Sequence, residues 1–213
     1  MKICFISDMH GSYRELIIPI ADVIVCCGDM TPRGKLDDAK DFLMWFADLP
    51  HKYKIFISGN HDFLFEKYKY EAEKIIPDNI IYLEDSEVEI MGLKFYGTPV
   101  TPIFFNWAFN RTEDVLKSHW EKIPNNIDIL ITHGPPYGIM DLSKRDKINT
   151  GSPSLYEEVI NRIKPTYHVF GHIHEGYGIL EKDGITFINA SNMDVDYNLV
   201  NEPIVIEIDK NTK

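Results

Sequence analysis

The chain has 213 residues, of which 44% are apolar and 26% charged, with a formal net charge of −11. That length suits one α/β domain with a sizeable core, here spanning residues 1–213. The acidic balance excludes a protein that grips nucleic acid with its general surface, which needs Lys/Arg patches. It leaves room for an anionic substrate, because bound divalent cations reverse the local field.

No apolar run approaches the ~20 residues of a membrane span. The first run, residues 3–7, ends at Asp8 with no small-residue cleavage site, so it reads as a strand and not a signal peptide. Cys4, Cys26 and Cys27 fall inside predicted strands and lack zinc-site spacing. They read as buried thiols in a reducing compartment, which makes the cytoplasm the expected location.

In chain order, strand 2–7 leads into a short connection over 11–20, where Pro19 limits helix. Strand 23–27 follows. Helix 35–49 carries Ala39, Phe42, Leu43, Phe46 and Leu49 on one face, with Asp37 and Asp38 in its first turn, and Pro50 ends it. Strand 53–58 precedes a helix running to about residue 76. Short strands at 80–83, 87–91 and 93–96 suggest a hairpin turning at Gly92. Residues 98–111 form an aromatic-rich irregular segment, and Thr112 can cap a helix ending near Lys122. Strand 127–132 and a polar loop over 134–151 come next. Ser152-Pro153 opens helix 154–164 as N-cap and first-turn proline. Strand 167–170 follows, then strands 178–181 and 185–189 around Asp183-Gly184, and a last strand at 203–208. This alternation predicts mixed sheets with helices outside.

Metal-ligand side chains recur just beyond the apolar strands: Asp8 and His10, Asp29, Asn60 to Asp62, His133, and His172 with His174. Sites in open α/β sheets form beyond strand C-termini. Singly, each residue reads as a turn or cap. Together they are explained if the tips converge on two metal ions, with Asp29 the carboxylate shared between them. On extended backbone, Asp8 and His10 lie on one side and can share a metal. His172 and His174 either share a side or diverge to separate metals. Imidazole, carboxylate and amide donors without thiolate favour Mn, Fe or Zn over a structural zinc cage. His51, His119 and His168 read as surface or packing residues, and Phe104, Phe105, Trp107 and Phe109 as core or lid packing. Arg33, Arg111, Lys144 and Arg145 lie in loops within reach of a phosphate but read first as surface charge.

The series Asp8-Met9-His10, Gly28-Asp29, Gly59-Asn60-His61-Asp62, Thr132-His133-Gly134 and Gly171-His172-Ile173-His174 resembles the motif order of the calcineurin-like metallophosphoesterase superfamily. Residues 96–111, 132–141, 169–178 and 188–191 resemble its class III cyclic-nucleotide-phosphodiesterase-like, metallophosphoesterase-domain-containing branch. The fold this resemblance implies is the metallo-dependent phosphatase fold, a four-layer αββα sandwich of two mixed β-sheets flanked by helices.

Carried over, one metal takes Asp8, His10, Asp29 and His174, and the second takes Asp29, Asn60, His133 and His172. His61 then faces the substrate as the catalytic histidine, and Asp62 orients its imidazole. The implied activity is dinuclear-metal-dependent phosphoester hydrolysis, favouring a phosphodiester, by attack of a hydroxide bridging two divalent ions, with Mn first. Alternatives are a phosphomonoesterase, a protein phosphatase, or a weakly catalytic nucleotide-binding or scaffold protein. The expected partner is a small phosphoester, such as a nucleotide or cyclic nucleotide, and neither nucleic acid nor membrane.

Overall fold

The computed structural model describes residues 1–144 and 147–208. Arg145 lies outside the described residues. Strand β1 (Lys2–Ile6) is followed by a 3-10 turn (Tyr13–Glu15), β2 (Val23–Cys26), α1 (Leu36–Asp48) and β3 (Tyr53–Phe56). Then come α2 (Phe63–Lys67), α3 (Lys69–Glu73), β4 (Ile81–Tyr82), β5 (Ser86–Ile90) and β6 (Leu93–Thr98). A small ribbon of β7 (Thr101–Pro102) and β8 (Asn110–Arg111) precedes α4 (Glu113–Trp120) and β9 (Ile129–Thr132). A second ribbon, β10 (Leu142–Ser143) and β11 (Ile148–Asn149), leads to α5 (Pro153–Glu158) and a π-helical turn (Val159–Ile163). The chain closes with β12 (Tyr167–Phe170), a 3-10 turn (His174–Gly176), β13 (Gly178–Lys182), β14 (Ile185–Asn189) and β15 (Ile204–Glu207).

Two mixed sheets form the centre. One has the order β15-β1-β2-β3-β4, the other β13-β14-β12-β9-β6-β5. In the first, β15 alone runs antiparallel to its neighbour. In the second, the outer strands β13 and β5 are antiparallel to theirs, and the four inner strands are parallel. Parallel strands buried on both faces explain the continuous apolar runs in the sequence.

Alternation along the strands builds the layers. Ile3, Phe5, Val23, Val25 and Ile55 face Phe95, Ile129, Ile131, Val169 and Ile188 of the other sheet. Their neighbours Cys4, Ile6, Ile24, Cys26 and Phe56 point the opposite way, against Ala39, Phe42, Leu43 and Phe46 of α1 and Leu64 and Phe65 of α2. On the far side, Tyr96, Leu130, Phe170 and Phe187 pack on Leu116 and Trp120 of α4 and Leu155 of α5. The result is a four-layer αββα sandwich. All three cysteines are buried and free. No helix among the described residues is long and apolar enough to cross a membrane.

Several local expectations need correction. The helix expected after Asp62 is two short ones, broken at Tyr68 (φ −133°). Residues 67–71 are all exposed, so no buried face pins the middle turn. Helix 154–164 loosens into a π-helical turn after Glu158 and ends at Lys164 in the left-handed region. Ser152 caps α5 by accepting from the Leu155 N–H at 3.1 Å, whereas Thr112 makes no side-chain cap on α4. Asp183-Gly184 forms its hairpin with both residues at positive φ.

Candidate metal centre

The tips of β1, β2 and β3 from one sheet meet those of β9 and β12 from the other. Strand geometry brings each tip to one edge, and backbone strain aims the side chains. Asp8 (φ 55°), His10 (φ 43°), Asp29 (φ 52°) and His172 (φ 67°) all occupy the left-handed region, costly for residues with a Cβ. Asp8 and His10 therefore meet through a left-handed bend and not through the extended alternation expected from their spacing. Two glycines permit the crowding. Gly28 sits at φ +103°, where a Cβ would lie 2.6 Å from His133 Nδ1. At Gly171 a Cβ would collide with the Asp8 carboxylate and Ser7.

Among the described residues three clusters of ligating atoms result: Asp8, His10 and His174; His10, Asp29 and His61; and Asp29, His133 and His172. His172 and His174 thus diverge to different clusters. Asp29 Oδ2 is the common centre, 3.4 Å from His133 Nε2, 3.9 Å from His10 Nε2 and 4.0 Å from His61 Nε2. Its other oxygen accepts the His61 N–H at 2.8 Å. Asp8 is held the same way. Its Oδ2 accepts from the His172 N–H at 2.9 Å and the Ser191 hydroxyl at 2.7 Å. Its Oδ1 is buried without a hydrogen-bond partner, 3.7 Å from His174 Nε2. Asn60 Oδ1 lies 2.9 Å from His133 Nε2.

Backbone carbonyls orient the rings. Nδ1 of His133 donates to Cys27 O (2.9 Å), Nδ1 of His174 to Asp194 O (2.7 Å) and Nδ1 of His61 to Pro32 O (2.8 Å). Each Nε2 is thereby left facing the centre, as metal-binding imidazoles are commonly set. His10 Nε2 and His174 Nε2 face one another at 3.4 Å. No carbonyl among the described residues orients His10, whose Nδ1 is buried without a partner, so either a proton or a cation can lie between the two Nε2 atoms. That pairing, and the bare buried Asp8 oxygen, fit bound divalent cations.

Electrostatics point the same way. Burial pushes His10 down to about 4 and His172 down to about 3, so both rings are neutral donors at pH 7. Burial would also lower His133 and His174, but the Asp29 and Asp8 carboxylates more than offset it and raise each to about 9. Burial lifts Asp8 and Asp29, yet the imidazoles beside them hold both carboxyls well below the ordinary range.

One orientation expected from sequence is corrected. Asp62 does not touch the His61 ring. It is fully buried and accepts from the Gly59 N–H (2.8 Å), the Thr31 N–H (3.1 Å) and the Thr31 hydroxyl (2.8 Å), tying the 59–62 loop to the segment after β2. Pro32 takes the orienting role through its carbonyl. Burial and the Asp29 charge push Asp62 up to about 6.

The centre opens into a cleft of about 400 Å³. His10, Asp29, Asn60, His61, His172 and His174 reach it, beside Ile103, Phe104, Trp107, Ile148 and Tyr197. Phe104 and Phe105 are exposed, Phe109 is buried, and Trp107 stacks on His61. Arg111 is paired with Glu66 at 2.7 Å. His168 is buried against Thr132, His51 bonds Pro19 O and His119 pairs with Asp85, so none of the three belongs to the centre.

The profile of the calcineurin-like phosphoesterases matches residues 1–176. The chain belongs to that family. It is 38% identical over 226 residues to human metallophosphoesterase domain-containing protein 1, covering 95% of this chain and 69% of that one. It is 34% identical over 226 residues to UPF0046 protein K07C11.7 of Caenorhabditis elegans, covering 100% and 77%. The crystal structure of TT1561 of Thermus thermophilus superposes with a TM-score of 0.62 over 97% of this chain and 98% of that chain, at 15% identity, a likeness of fold. As a calcineurin-like phosphoesterase with three Asp/His clusters at its strand tips, this is a metal-dependent phosphoester hydrolase.

Sequence reasoning missed the carbonyls of Cys27, Pro32 and Asp194, because any residue type offers a carbonyl. It passed over Ser191, although residues 188–191 carried part of the branch resemblance.

Proposed function

We propose that this calcineurin-like phosphoesterase is a phosphodiesterase working with a pair of divalent cations, Mn first among them and Fe or Zn as alternatives. The observation that carries the reading is Asp29, whose Oδ2 lies 3.4 Å from His133 Nε2 on one side and 3.9 Å from His10 Nε2 on the other, His10 being the ring that leads on to Asp8 and His174. Asp8, His10, Asp29 and His174 would hold one cation, and Asp29, Asn60, His133 and His172 the other. Bound divalent cations supply a water-derived nucleophile near neutral pH and offset charge on the phosphoryl oxygens.

The chain's own groups do the rest. The left-handed backbone at Asp8, His10, Asp29 and His172 fixes the donors before substrate arrives. His61 keeps Nδ1 on Pro32 O, so its Nε2 is the atom that delivers a proton to the leaving alkoxide. Such a role is worth roughly 10²–10⁴ in rate. The cleft favours a diester over a monoester. Among the described residues that line it there is no Lys or Arg, while Ile103, Phe104, Trp107 and Ile148 supply apolar wall. A monoanionic diester with an apolar or planar substituent, such as a nucleotide or cyclic nucleotide, fits that wall better than a dianion. The formal charge of −11 gives no track for a polyanion.

Turnover of bis-p-nitrophenyl phosphate against p-nitrophenyl phosphate, in Mn-loaded protein, tests this. Faster cleavage of the diester is expected. Faster cleavage of the monoester overturns the diesterase reading, and turnover of neither overturns hydrolysis altogether.

A further inference from the structure

We infer that Trp107 is a positioning residue for His61, stacking on its imidazole so that Nε2 is presented to the leaving group; this rests on the phosphodiesterase reading above. The two rings lie 4.1 Å apart between centroids and 19° from parallel. His10 meets the His61 ring edge-on at 4.4 Å and 69°. The Pro32 carbonyl holds Nδ1 but leaves the ring free to tilt about that hydrogen bond. A flat indole against the imidazole removes that freedom.

Trp107 is itself fixed. The next residue, Ala108, donates its N–H to Asn60 O at 3.0 Å, so the segment carrying the indole is stapled to the residue preceding His61. The Phe63 ring lies 5.8 Å from the indole, and the Arg33 guanidinium sits over it at 5.5 Å from the centroid. Pro32 and Arg33 are consecutive, so one short loop bonds His61 directly and contacts its stacking partner. Cation–π and offset-stacking contacts of this kind favour one ring geometry over its neighbours. A general acid must lie within hydrogen-bond reach of the leaving oxygen, so a tilted ring loses its effect even when the cations are in place.

The test uses Mn-loaded protein and aryl methyl phosphate diesters that differ only in the acidity of the leaving phenol. Protonation matters most for the poorest leaving groups. Trp107→Leu, which fills the space without a flat face, should lose at least ~10-fold more kcat/KM on the phenyl ester than on the p-nitrophenyl ester. Trp107→Phe, which restores a face, should recover most of that difference. Metal content should stay at the wild-type level in both. Independently of turnover, in protein loaded with diamagnetic Zn, ring-current shielding of the His61 ring protons should be present in the wild type and absent in Trp107→Leu by NMR. A uniform rate loss across the series in Trp107→Leu, or His61 proton shifts that do not move, overturns the proposal while leaving the phosphodiesterase reading standing. Wild-type protein inactive on every ester overturns both.

Discussion

Asp29 Oδ2 gathers three imidazole nitrogens within 4.0 Å, so its loss should undo the centre more than any change around it. Asp29→Asn is expected to lower metal affinity by more than ~100-fold, since even partners behind a ligand are worth about 10–100-fold. Metal titration calorimetry with elemental analysis measures it. Ser191→Ala removes the hydroxyl that holds Asp8 Oδ2 at 2.7 Å, and is expected to weaken metal binding by about 10–100-fold while leaving the fold intact. An affinity unchanged in Ser191→Ala would show that Asp8 needs no such support.

His168 gives a pH prediction away from the cations. Its Nε2 lies 2.9 Å from the Thr132 hydroxyl, which itself donates to Gly134 O, and its Nδ1 is buried without a partner. Burial lowers the ring from 6.5 to about 3, so between those values the unfolded chain binds a proton that the folded chain refuses. The contribution of His168 to stability is therefore complete above 6.5 and is lost as the pH falls towards 3. His168→Phe should flatten the acid limb by roughly 1.4 kcal/mol per pH unit, read from urea unfolding of both proteins in metal-free form. An identical slope in the two proteins would contradict the assignment.

At the scale of elements, the strands were legible because parallel strands buried on both faces leave unbroken apolar runs such as 23–27. The candidate ligands were legible because they follow those runs directly. The way the side chains are aimed was not. Asp8 and His10 read as neighbours on extended chain, but four of the candidate positions take left-handed backbone, which Asp and His adopt more readily than most residues but which spacing alone does not reveal. The break at Tyr68 is not legible because local sequence there is compatible with helix and only the missing burial undoes it. Gly28 tests the strained geometry. Gly28→Ala places a methyl 2.6 Å from His133 Nδ1 and 2.8 Å from Gly59 at a φ of +103°. A stability loss of about 1–3 kcal/mol, with weakened metal binding, is expected from chemical denaturation and calorimetry. Wild-type stability and affinity in this variant would show that the β2 tip is not under strain.

For the whole molecule, the centre joins the two sheets. Asp8, Asp29 and Asn60 follow strands of one sheet, His133 and His172 strands of the other, and between them lies the core of Phe5, Val25, Ile55, Ile131 and Val169. Cations bound there stabilise the folded chain by mass action. Loading also expels the protons that Asp29 and Asp8 hold on His133 and His174 up to about 9, so apparent affinity should rise with pH towards that value. Activity should correspondingly fall on the acid side and recover in part with added Mn. An acid loss indifferent to Mn concentration would contradict that linkage.

The most direct measurement is anomalous scattering from crystals grown with Mn. Expected are two separate peaks, one against Asp8, His10 and His174 and one against Asn60, His133 and His172, both bonded to Asp29. A lone peak, or two that do not share Asp29, would contradict the proposed pair of cations.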